Sequence, residues 1–250
     1  MISRTHWRIG SCAGALLAAA GLLLGQDHAH DHAKAPAPQV GEGTATQAMS
    51  TRNLDMGPHM KMTRLWKPMP GDSERAQQTV ESARRALQRY KDYRAAEADG
   101  YRVFLRKVPQ KMYHFTNWRY AMESAFQFDP DRPTSLLYEK NGEGYKLIGA
   151  MYTAPADMEE DELHARIPLS VARWHAHVNL CLPPRDRRRE AWGRNARFGL
   201  RGSITARKEC ERDGGRFMPQ VFGWMLHVYP FETTEAKIWS LEPQAPGHHH

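Results

Sequence analysis

Beyond Gly100 the apolar residues of this chain come only in short blocks: YRVFL, MYHFTN, SLLYEK, YKLIGAMYT, WHAHVNLCL, WMLHVYPF and IWSLE, fenced by Pro, Gly, Asp or Asn. Blocks of that length, partly aromatic or β-branched, are too short for independent helices and fit strands. NGEG between the third and fourth has hairpin chemistry, so those two strands are expected to be antiparallel neighbours. Upstream, Ala76, Val80, Ala83, Leu87 and Tyr90 recur at spacings of four, three, four and three behind Asp72 and Ser73, two N-cap types. That pattern predicts one amphipathic helix. Asp92 then caps a short turn over Tyr93–Ala98, and Gly100 stands where a left-handed residue closes it. The expected fold is α+β: an N-terminal amphipathic helix packed on an antiparallel sheet that closes toward a barrel or sandwich, in one domain over 72–245.

The first 71 residues have a different character. Arg4 and Arg8 precede an apolar run from Ile9 to Leu24, the layout of an export signal, and 16 residues rich in Ala and Gly are short for a bilayer core that wants about 20. The expectation is a signal peptide over 1–25, a periplasmic or secreted product, and no stable membrane span after cleavage. A mean hydropathy of −0.69 with this single apolar run excludes a multi-span membrane protein. Loss of Arg4 and Arg8 lowers the formal charge from +7 to +5, and mild basicity after export disfavours nucleic acid as a partner. Residues 26–71 lack an apolar period and read as a disordered arm. The arm carries His28, His30 and His32 in alternation, then Met56, His59, Met60 and Met62. Imidazoles and thioethers are borderline and soft ligands, and thioethers favour Cu(I). The terminal His248–His250 carries no argument, because it has the form of an expression tag.

Histidine also marks the strand blocks. In ARWHAHVNLC a period of two sends His175, His177, Asn179 and Cys181 to one face and Trp174, Ala176, Val178 and Leu180 to the other. Two imidazoles at i and i+2 can reach one ion if a neighbouring strand supplies a third ligand. His227, sharing a face with Met225 and Tyr229, and His114, in mid-strand, are the candidates, with Glu139 as a carboxylate ligand or general base. His164 lies in a charged segment and reads as a solvated helix residue. Cys181 and Cys210 are the two cysteines outside the signal and are expected to form a disulfide in an oxidising compartment. Between them, Arg185 to Arg201 is an arginine-rich loop that reads as a solvated face, with docking of an anionic ligand as the alternative.

The order ADGY (from Ala98), YHFTN (from Tyr113), LLYE (from Leu136), LIGAMY (from Leu147), WHAH (from Trp174) and MLHVY (from Met225) resembles a group of exported bacterial proteins of unassigned function, over roughly residues 83–231. The resemblance puts His114, Glu139, His175 and His227 in recurring blocks and implies no activity. An H-x-H strand with a later strand histidine is also similar in ligand chemistry to the zinc site of α-type carbonic anhydrases and to cupin oxygenases, though the rest of the sequence follows neither. The leading expectation is a metal-binding protein, with copper ahead of zinc or iron. A metalloenzyme using the same histidines with Glu139, and a module that binds no metal, are the alternatives. No G-x-S-x-G elbow or Gly-rich phosphate loop is present.

Overall fold

Seven strands make one antiparallel sheet in the computed structural model, which describes residues 57–241 apart from 108, 109 and 194. In chain order they are β1 (Met60–Met62), β2 (Arg102–Val103), β3 (Met112–Thr116), β4 (Ser135–Asn141), β5 (Gly144–Ala154), β6 (His175–Leu182) and β7 (Arg216–Val228). Across the sheet the order is β1-β6-β7-β5-β4-β3-β2. The helices are α1 (Asp72–Leu87), α2 (Tyr93–Ala98), α3 (Trp118–Glu123), α4 (Glu160–Arg166), α5 (Arg207–Arg212) and α6 (Glu235–Ile238). The architecture is α+β. The signal, the His28–His32 segment and Met56 lie outside the described residues.

One face of the sheet carries the main core. The α1 residues Ala76, Val80, Ala83 and Leu87 are buried in one cluster with Phe115, Tyr138, Tyr152, Trp174, Trp224 and Leu226. Asp92 caps α2 by accepting from the Arg94 amide, Gly100 is left-handed at φ 92°, and the β4–β5 hairpin turns at Gly142, φ 56°. The N-terminus of α1 differs from expectation. Gly71 is the N-cap residue, and Asp72 is buried, accepting from Ser170 Oγ at 2.6 Å and from the Met69 amide at 3.0 Å. His164 is not solvated either: it is buried, stacks on Trp66 with centroids 4.7 Å apart, and lies 3.5 Å from the Asp72 carboxylate. Its segment looked solvated because the charges flank a single inward-facing turn.

Two more expectations are corrected. IWSLE supplies no strand; α6 ends at Ile238, whose carbonyl accepts from the Tyr229 amide, and Trp239 plugs the core. Residues 57–62, expected in the disordered arm, are ordered: β1 pairs with β6, and the buried His59 donates through Nε2 to the Gly202 carbonyl at 2.6 Å.

The sheet is bent by two local irregularities. Between β4 and β5 the register slips by one residue beside Leu137, and between β6 and β7 two extra β7 residues are inserted opposite His175–His177. The second bulge holds Phe222, left-handed at φ 64°, and Gly223, where a Cβ would fall onto the Ala154 carbonyl oxygen. Bulges bend a strand and sharpen its twist. A disulfide joins Cys181 to Cys210, Cα atoms 5.6 Å apart, and packs with Phe198 and Ile204 in a small satellite cluster. Among the described residues no helix is long and apolar enough to cross a membrane.

Candidate metal centre

The face opposite the main core holds the histidines. His114 comes from β3, His175 and His177 from β6, and His227 from β7. On a flat sheet, β3 and β7 would stand three inter-strand steps apart, about 14 Å. The His114 and His227 ring centroids are nevertheless 5.7 Å apart, so this face is concave. His175 lies 5.1 Å from His227 and 5.8 Å from His177 by the same measure. Imidazole nitrogens about 2.0 to 2.1 Å from a tetrahedral metal put neighbouring ring centroids about 5 Å apart. The rings thus run in a chain, His114 to His227 to His175 to His177, each adjacent pair near the separation of two imidazoles on one ion.

Their polar atoms are poorly satisfied. The Nδ1 atoms of His175, His177 and His227 are buried without a hydrogen-bond partner, which an imidazole seldom tolerates. His175 and His227 are 5% and 7% exposed; His114 and His177 are half-buried. Burial, then the neighbouring histidines, hold the His114 pKa down to about 4 and that of His175 to about 3. The same causes push His227 well below the usual imidazole range, opposed in part by a hydrogen bond to the Leu241 backbone. Burial, then His59, lowers His177. All four rings are therefore neutral at neutral pH, the form that ligates metals. The Leu241 bond leaves Nδ1 of His227 as the open nitrogen, and a backbone carbonyl on the other ring nitrogen is the usual support for a ligating histidine. As they stand, no three His, Cys, Asp or Glu side chains among the described residues are posed to hold a metal ion. Loading would require the rings to turn about their side-chain bonds.

Other candidates fall around this cluster. Met60 and Met62 pair in register with His177 and His175, which puts both thioethers on the histidine face. Its bond to Gly202 makes His59 an anchor for β1. Glu139 pairs with Met112 at the far end of β4, and its charge acts on Tyr229 instead of on the rings. Asn179, left-handed at φ 55°, breaks the alternation of β6 and donates to the Pro58 carbonyl. In the arginine loop, Arg187 pairs with Glu190 and Arg197 with Asp213 at 2.6 Å each, while Arg185, Arg188, Arg189 and Arg201 are exposed.

Three residues were missed in the sequence as site candidates: Met112, Met151 and Met225. A signal existed, since Met112 and Met225 each precede a strand histidine by two and so share its face. Met151 pairs in register with His227. Phe104, ahead of β3, meets the β7 bulge residue Phe222 edge to face at 5.7 Å, and the Phe104 amide donates to the His114 carbonyl. The chain matches no protein family, no curated protein and no solved structure.

Proposed function

We propose that this is an exported metal-binding protein whose ion sits among His114, His175, His177 and His227 on the concave face of the sheet. The observation that carries the reading is a chain of four neutral imidazoles from three strands, adjacent rings 5.1 to 5.8 Å apart, with three buried Nδ1 atoms unbonded. Histidines kept only for packing would have their nitrogens bonded, which speaks against a module that binds no metal. Copper is favoured over zinc or iron, because Met60 and Met62 face the same cluster and copper heads the affinity order for nitrogen ligands. The charge of Glu139 acts on Tyr229 and on none of the four imidazoles, which favours binding over a reaction that uses it as base. Export is supported by the apolar run behind Arg4 and Arg8 and by the disulfide.

The test is elemental analysis of the untagged chain with His28, His30 and His32 changed to Ala, beside the same chain carrying His175→Ala/His177→Ala. About one equivalent of metal is expected in the first and almost none in the second. Equal metal content in the two would overturn the reading.

A further inference from the structure

Beside the imidazoles lies a second group of donors. Met112, Met151 and Met225 pack with Leu137, Tyr229 and Ile148 in one cluster on the histidine face. They come from β3, β5 and β7, and so are brought together by the curl that gathers the histidines. With Met60 and Met62, five methionines among the described residues lie on this face. An apolar cluster needing only filler is usually built from Leu, Ile, Val and Phe, whose rotamers are better defined. Here the thioethers adjoin the imidazoles directly: Met151 is the register partner of His227, and Met225 of His175. Tyr229 Oη donates to Met112 Sδ at 3.5 Å, and the Tyr229 ring is 6.3 Å from that of His227.

We infer that Met112, Met151 and Met225 form a thioether subsite for a soft monovalent cation, Cu(I), contiguous with the imidazole cluster. The inference rests on the metal-binding reading given above and extends it to a second oxidation state of the same cargo. Thioethers are neutral and soft, so they suit Cu(I) and are poor ligands for Zn(II). Each Met has three rotatable bonds, enough to bring its sulfur onto an ion without moving a strand. The face thus offers two adjoining environments, nitrogen for the divalent ion and sulfur for the monovalent one.

Ag(I), a redox-inert stand-in for Cu(I), is titrated into the full chain with 13C-labelled methionine methyl groups, and Zn(II) into a parallel sample. The methyl signals of Met112, Met151 and Met225 are expected to shift together with Ag(I), by several times more than the ring-turning shifts that Zn(II) causes in Met151 and Met225, with Met112 staying in place under Zn(II). Met112→Leu/Met151→Leu/Met225→Leu is expected to weaken Ag(I) binding at this site at least tenfold, with Zn(II) uptake within twofold of the parent. Should the triple variant fail to fold, Met225→Leu alone carries the same expectation for the two remaining methyl signals. If the three signals stay fixed while Ag(I) binds elsewhere, or if the Leu variant binds Ag(I) as the parent does, the inference is overturned. Thioether shifts with Ag(I) alongside Zn(II) uptake that survives His175→Ala/His177→Ala would uphold this subsite and sink the imidazole site.

Discussion

A buried ring nitrogen without a partner costs about 1 to 3 kcal/mol, and His175, His177 and His227 each carry one. An apolar replacement of similar size relieves that cost. His175→Leu is therefore expected to raise the unfolding temperature of the metal-free protein by about 2 to 4 °C, taking a gain near 1 kcal/mol. On the metal-binding proposal the same change removes a ligand, so added metal is expected to raise the unfolding temperature of the parent and not of the variant. Calorimetry with and without Cu(II) reads both effects. A drop in metal-free stability together with an intact response to metal would assign His175 to the core. That His175 and His177 share a face of β6, and that His227 lies in a strand, was legible because strand alternation is local. The sequence misplaced His164, because burial of a polar side chain depends on partners such as Asp72 and Trp66 that are distant along the chain.

Strand β1 is three residues long and owes its place to β6 and to His59. Removing the imidazole in His59→Ala takes away the bond to Gly202 and leaves a cavity. The amides of residues 60–62 are expected to exchange with solvent at least tenfold faster, while those of β4 and β5 change little. Hydrogen exchange followed by mass spectrometry measures this, and unchanged protection at 60–62 would show that β-pairing alone holds the strand. Elements with a strong local signal were legible. α1 announced itself by its period and the β4–β5 hairpin by its turn. β1 has no pattern of its own in MKM, and β6 reads as one alternating strand although Asn179 interrupts it. The bulge in β7 was invisible for the same reason: an insertion is defined only against the partner strand.

Several depressed imidazole pKa values act on the molecule together. With the folded-state values below the ordinary 6.5, the unfolded chain binds more protons as pH falls, so this stability is present above 6.5 and is lost as pH drops toward about 4 for His114 and about 3 for His175. Asp72, held down to about 2 first by its bond from Ser170, adds a further loss below 3.8. The unfolding temperature of the metal-free protein should fall continuously from pH 7 to pH 4, and more gently in His175→Ala/His177→Ala. Parallel pH profiles for the two proteins would refute the assignment. Curvature of the sheet was the part of the site least open to sequence reasoning. That His114 reaches His227 across two intervening strands is a property of all the strands at once, and no segment encodes it alone.

The place of β7 in the sheet has a consequence in time. It is the last strand along the described chain, yet it lies between β5 and β6, and its own residues complete the cluster. Until residue 216 and those after it have been made, the sheet is two unconnected halves, β1 with β6 and β2 to β5. Contacts of such long sequence separation form late and slowly. The growing polypeptide therefore cannot bring His114, His175 and His227 onto one face, and the cluster exists only once the last strand has been inserted between the halves.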